Sequence, residues 1–160
     1  MKSIYDFNSN SKNDWKVIDD GVMGGLSQGK MTINEDGHGV FSGHVSLENN
    51  GGFSSVMHQL DNFKVEKAKK VVLKVKGDKK DYQFRLKANN SDTHSFIQTF
   101  ETNGDWQEIK IPLNSFYASY RERKLDQPNF SSDQLAEIRF LIANKKEQDF
   151  QLEIDWIALK

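Results

Sequence analysis

An all-β fold, an antiparallel β-sandwich or jelly roll with a closed barrel as the alternative, is what this sequence of 160 residues predicts. Three observations lead there. Apolar and polar residues alternate in short runs along most of the chain, the period-two pattern of half-buried strands. The gaps between runs carry turn chemistry, with no heptad, fixed-period repeat or low-complexity linker among them. There is also enough apolar material for one core: 41 of the 160 residues are Leu, Ile, Val or Phe, and the net charge is only −1, a composition outside the disordered class. One domain over residues 1–160 is expected.

In chain order, Lys30-Met31-Thr32-Ile33-Asn34 reads as the start of a strand that turns at Glu35-Asp36-Gly37. Phe41, Gly43, Val45 and Leu47 then alternate with Ser42, His44, Ser46 and Glu48. Asn49-Asn50-Gly51-Gly52 suits a tight hairpin, because Asn and Gly tolerate positive φ. Val71, Leu73 and Val75 face one side of a strand whose other side carries Lys74 and Lys76, and Gly77–Asp81 forms a longer polar loop. Tyr82, Phe84 and Leu86 alternate with Gln83, Arg85 and Lys87. Thr102-Asn103-Gly104-Asp105 reads as a second hairpin turn, before Trp106 and the run Ile109, Ile111, Leu113. Ser131-Ser132-Asp133 is predicted to cap the one short helix, Gln134-Leu135-Ala136. Ile138, Phe140 and Ile142, a polar loop from Asn144 to Asp149, and the nine-residue alternation Phe150–Ala158 complete the chain.

Composition narrows function before any motif does. Basic and acidic residues balance at 22 against 23, so no nucleic-acid partner is expected. With no cysteine, the chain has no disulfide, thiolate metal site or cysteine nucleophile, which fits a reducing compartment. The opening Met1–Phe7 is no signal peptide and no apolar run is long enough to span a membrane, so a cytoplasmic location is expected. The lysine-rich stretch Lys64–Lys80 has almost no aromatic residues and reads as a solvated strand edge. Trp15, Trp106 and Trp156 read as core residues.

Nine of the eleven glycines lie between Gly21 and Gly52, and this density produces several chemical look-alikes. Gly25-Leu26-Ser27-Gln28-Gly29 matches the nucleophile elbow, which needs a strand-to-helix turn and a histidine partner. Gly24 to Gly29-Lys30 approaches a phosphate-binding loop, but Met31 stands where a magnesium-binding hydroxyl is required. Gly37-His38-Gly39 with Gly43 misses the spacing of the dinucleotide fingerprint by one residue. None is followed by a helical pattern, so no catalytic residue and no cofactor is assigned. The four histidines lack metal-ligand spacing, although His44 and His58 could meet across the expected Asn49–Gly52 hairpin. Asp19-Asp20 could offer oxygens to calcium, but capping the turn into Gly21 explains them better, and no metal is assigned.

Taken together, Trp15, Asp19-Asp20-Gly21-Val22-Met23-Gly24-Gly25 with Ser27, Phe41-Ser42-Gly43 and Asn49-Asn50-Gly51-Gly52-Phe53-Ser54-Ser55-Val56 resemble the complex I intermediate-associated protein 30 family. Lys76-Gly77-Asp78 with Tyr82, Trp106 with Ile111-Pro112-Leu113 and Phe116, and the closing Phe150–Ile157 extend the likeness over about residues 5 to 158. Met57, where arginine is common, and Lys79-Lys80, where glycine follows, depart from the family pattern. The resemblance implies a galactose-binding-domain-like jelly roll. It further implies a chaperone-like assembly factor for respiratory complex I (NADH:ubiquinone oxidoreductase), here in a bacterial-type, single-domain form that binds a protein partner.

On that basis Asp19, Asp20, Met23, Gly24, Gly25, Ser27, Asn49, Asn50, Phe53 and Ser54 are the candidate binding residues. A carbohydrate-binding module is the alternative, and it would need Tyr82, Trp106, Tyr117 or Tyr120 exposed. A hydrolase at Ser27 would need a histidine within reach.

Overall fold

Alternating runs become strands because one face of each can be buried against a second sheet while the other meets water. The computed structural model describes residues 1–160, apart from the side chains of Val22 and Met23, which lie outside the described residues. The strands are β1 (Lys2–Asp6), β2 (Lys16–Asp19), β3 (Gln28–Ile33), β4 (Gly39–Val45), β5 (Ser54–Lys64), β6 (Lys70–Lys76) and β7 (Asp81–Lys87). They continue with β8 (Ser95–Glu101), β9 (Trp106–Pro112), β10 (Tyr117–Tyr120), β11 (Arg123–Lys124), β12 (Gln134–Ile142) and β13 (Gln148–Leu159). One sheet runs β3-β4-β13-β6-β9, with β1 also on β13; the other runs β11-β10-β8-β7-β12-β5-β2. All pairings are antiparallel. The fold is the galactose-binding-like β-sandwich.

The core lies between the sheets. Phe41, Leu73, Leu152 and Ile154 of the six-stranded sheet meet Phe84, Leu86, Ile138 and Phe140 of the seven-stranded one, all fully buried. Trp15 closes one end, stacked between Phe7 (centroids 5.7 Å) and His58 (5.2 Å).

Five expectations change. Of the three tryptophans read as core, only Trp15 is buried: Trp106 and Trp156 are half-buried, Trp106 packing edge-on against His38, because each sits on the strand face turned away from the other sheet. Asn49–Gly52 is not a hairpin: Asn49 and Asn50 do take positive φ (56° and 60°), but the segment carries the chain from β4 in one sheet to β5 in the other. Thr102–Asp105 likewise crosses from β8 to β9. Turn chemistry reports the backbone angle, not the partner of the strand that follows. No helix forms at Gln134–Ala136; Ser132 Oγ does accept the Gln134 N–H (3.2 Å), but β12 begins there and Leu135 enters the core. The lysine-bearing β6 is no edge, since β13 and β9 flank it; its lysines line the solvent face of an interior strand.

Candidate functional site

The candidate residues divide into an inward and an outward set. Asp20, 1% exposed, is the hub of the inward set. Its Oδ1 accepts the Ser27 N–H (3.0 Å); its Oδ2 accepts the Ser27 hydroxyl (2.6 Å) and the N–H groups of Gly52 (2.7 Å) and Phe53 (3.2 Å). Ser27 Oγ in turn accepts the Ser46 N–H at 2.9 Å. One carboxylate thus ties the turn after β2 to the β4–β5 crossing. Burial alone would raise the Asp20 pKa. The Ser27 hydroxyl and the N–H groups of Gly52, Ser27 and Phe53 more than offset it, so the carboxyl lies below its ordinary value of 3.8.

Beside it, Asp19 accepts the Gly29 N–H (2.8 Å) and the Ser54 hydroxyl (2.5 Å). The neighbouring glycines follow from this crowding. A Cβ at Gly25 would collide with the Asp20 carboxyl, one at Gly29 with Ser54 Oγ, and one at Gly51 would sit 2.6 Å from Asp20 Oδ2. Gly24 closes the turn in the left-handed region (φ 88°). Gly77-Asp78 repeats the device at the β6–β7 crossing: Asp78 accepts the buried Tyr82 hydroxyl (2.9 Å), Lys80 Nζ (3.0 Å) and the Gln151 N–H (2.8 Å).

The outward set is smaller. Asn49 and Asn50 are exposed and Phe53 is half-buried, while the Met23 side chain lies outside the described residues. Leu26 (52% exposed) and Leu47 (43%) flank the Ser27–Ser46 contact, two of the few large apolar side chains left in water.

The look-alike motifs lose their chemistry in three dimensions. Ser27 is bound to Asp20 and Ser46, and the chain runs on into β3 with no helix, so the elbow geometry is absent from this stretch. His44 and His58 do not meet: His44 pairs with Asp149 (2.8 Å), and His58 packs on Trp15 in the other sheet. Among the described residues one trio has ligand spacing, Asp36, His38 and Glu153, with ligand atoms within 4.8 Å of one another. His38 Nδ1 lies 2.7 Å from Glu153 Oε2, a hydrogen-bonded contact that needs no metal, and Asp36 is exposed beside it.

A second surface lies on the outer face of the seven-stranded sheet. Register sets Tyr117, Ile97, Arg85, Arg139, Met57 and Lys16 side by side across β10, β8, β7, β12, β5 and β2. Each alternates with core residues on its own strand, as Arg85 does between Phe84 and Leu86. The row crosses a cleft of about 190 Å³ with Arg85, Lys87, Arg121, Arg139 and Glu137 in its walls. Sequence periodicity placed Arg85 on a solvent face but could not pair it with Arg139, 54 residues away in sequence, because strand order is not written locally.

The sequence profile of the complex I intermediate-associated protein 30 family matches residues 5–154. The chain belongs to this family. The mouse (Mus musculus) mitochondrial complex I intermediate-associated protein 30 is 28% identical over 94 residues, 54% of this chain and 29% of the mouse protein, so the match spans less than a third of that relative.

Solved structures of similar fold include carbohydrate-binding modules. A family 11 module from Clostridium thermocellum, in complex with a β-1,3-1,4-mixed-linked tetrasaccharide, superposes with a TM-score of 0.74 at 18% identity, covering 99% of this chain and 94% of that one. A family 29 module gives 0.56 at 9% identity, covering 98% and 89%. At these identities the likeness shows the fold alone. Met57 lies in the outer-face row, where it is 8% exposed, and Lys79-Lys80 lie in the β6–β7 crossing. Among the described residues no helix is long and apolar enough to cross a membrane.

Proposed function

We propose that this chain is a non-catalytic binding and assembly module, a chaperone-like factor of bacterial type that engages a protein intermediate of respiratory complex I from the cytoplasm. The contact surface is the loop end that carries the family signature. Leu26 and Leu47 standing in water beside a rigidly tied crossing is the observation that carries this reading. Exposed apolar side chains on a pre-organised backbone favour protein docking, because little entropy is lost on binding. Asn49 and Asn50 add amide donors and acceptors at the rim, with half-buried Phe53 as an apolar neighbour, while Asp19, Asp20, Gly24, Gly25, Ser27 and Ser54 hold the loops that present them.

Affinity capture from cells containing complex I, with mass spectrometry, tests it. The wild-type chain should enrich complex I subunits, and the Leu26→Ser/Leu47→Ser variant should lose them while melting at the same temperature. Equal enrichment by both proteins would reject the surface.

Carbohydrate binding is the second reading, favoured by Tyr120 (40% exposed) and half-buried Tyr117, although Tyr82 at 1% exposure is excluded from such a platform. Saturable calorimetric binding of a neutral mixed-linked glucan, lost in Tyr120→Ala, would establish it in place of the first.

A further inference from the structure

Directly opposed like charges on neighbouring strands destabilise a sheet, and burial enlarges the cost. Arg85 and Arg139 are such a pair, opposite one another on β7 and β12. Compensation within the chain is thin. The Arg85 guanidinium donates from Nε and Nη2 to one neutral acceptor, Gln83 Oε1 (2.9 and 2.7 Å), and among the described residues no carboxylate lies within ion-pair distance of it. Arg139 has only long contacts: Nε to Glu137 Oε2 at 3.5 Å, Nη1 to Ser55 Oγ at 3.4 Å and Nη2 to Met57 Sδ at 3.7 Å. Each guanidinium carries five N–H donors, so both retain unused capacity.

The surroundings deepen the imbalance. Four cations, Arg85, Lys87, Arg121 and Arg139, face one carboxylate, Glu137, across the cleft. Glu122, exposed on the β10–β11 turn, adds only a more distant negative charge. Burial and the Arg139 charge together pull the Arg85 pKa down to about 10. A site arranged this way favours whatever supplies the missing negative charge.

We propose that this cleft binds a carboxylate side chain of an acidic protein segment, with Arg85 and Arg139 donating to it from adjacent strands. The inference concerns the sheet face and goes beyond the loop-end contact. A sugar is the weaker occupant here. At about 190 Å³ the cleft is smaller than ordinary small-molecule sites of roughly 300 Å³ upward and suits one or two side chains. The aromatic rings at its edge already carry cations, Arg121 at 5.3 Å from the Tyr120 centroid and Lys124 Nζ at 5.6 Å from that of Tyr117, which leaves less free ring face for stacking.

Fluorescence anisotropy with a labelled hexaglutamate peptide and the full chain at low salt is the test. Saturable binding is expected, weakened at least tenfold in Arg85→Gln and in Arg139→Gln. It should tighten in Glu137→Gln, which frees Arg139. Lys110→Gln, which removes an exposed cation from β9 in the other sheet, should leave it unchanged, and so should Leu26→Ser/Leu47→Ser, which separates this surface from the loop end. No saturable binding, or equal weakening by Lys110→Gln, overturns the proposal. Tighter competition by trigalacturonate than by unlabelled peptide overturns the protein occupant in favour of an acidic sugar. Displacement by inorganic phosphate at lower concentration than by peptide overturns the carboxylate. If an arginine variant does not fold, Glu137→Gln decides alone: tighter binding supports the site and unchanged binding rejects it.

Discussion

Asp20 shows how one residue can be conspicuous in sequence and still serve the interior. Beside Gly21 its type suggests a turn cap, and the structure gives its side chain a longer reach, to Ser27, Gly52 and Phe53. Hydrogen bonds to a charged acceptor contribute more than neutral ones, about 1.5–3 kcal/mol each by mutational measure, and they are not additive. Asp20→Asn keeps the shape but turns an amide N–H₂ toward N–H donors. A loss of about 3 kcal/mol is expected by urea denaturation. The pH dependence supplies a second check. Because the folded carboxyl titrates below its ordinary 3.8, its contribution is complete above that pH and disappears as pH falls through the folded value. Wild-type stability should therefore drop more steeply than that of Asp20→Asn as pH falls below the ordinary carboxyl value of 3.8. Parallel acid limbs for the two proteins would count against Asp20 being held as the anion.

At the scale of elements, the loop glycines separate into those that packing demands and those it does not. Gly21 and Gly25 both lie near the start of the signature, yet a Cβ at Gly21 meets nothing within 4 Å, whereas at Gly25 it meets the pinned Asp20 carboxyl. Gly21→Ala should be neutral within about 0.5 kcal/mol, or slightly stabilising through the unfolded chain. Gly25→Ala should cost about 2–3 kcal/mol, since the buried carboxylate cannot yield without breaking its bonds. Thermal melts of the pair decide it, and equal values would mean that the loop relaxes freely.

The same distinction marks what was legible in the sequence. Strand identity was legible, because alternation is local: Tyr82-Phe84-Leu86 and Ile138-Phe140-Ile142 pack where their period places them. Partner choice was not, so Asn49–Gly52 read as a hairpin although its flanking strands belong to different sheets. The candidate site was half legible: residue types located the signature loops, but only the crossing geometry turns Asp19, Asp20, Ser27 and Ser54 inward and leaves Asn49 and Asn50 outside. The Arg85–Arg139 pair had no local signal at all, since either arginine alone is an ordinary polar residue in an alternating strand.

For the molecule as a whole, the two outer sheet faces are in different electrostatic states. On the six-stranded sheet two β6 cations meet opposite charge in register, Lys74 against Glu108 of β9 and Lys76 against Glu153 of β13. On the seven-stranded sheet Arg85 meets Arg139. A fold selected for stability alone would not keep that juxtaposition, because an apolar side chain of similar volume removes both the repulsion and the desolvation cost. Arg85→Met is therefore expected to stabilise the chain by about 1 kcal/mol. For a chain of this size that raises the melting temperature by roughly 3 °C. Gln83 loses its donor in this variant, but it is half-exposed and can take water instead. Arg139→Met should gain less, because it would leave buried Glu137 without its counter-ion. Differential scanning calorimetry of the two variants separates the cases. If Arg85→Met melts below wild type, the arginine supports the sheet, and the argument that its charge is kept for a ligand fails. If it melts higher while losing the acidic peptide, stability and binding are opposed at one residue, the signature of a site retained for recognition.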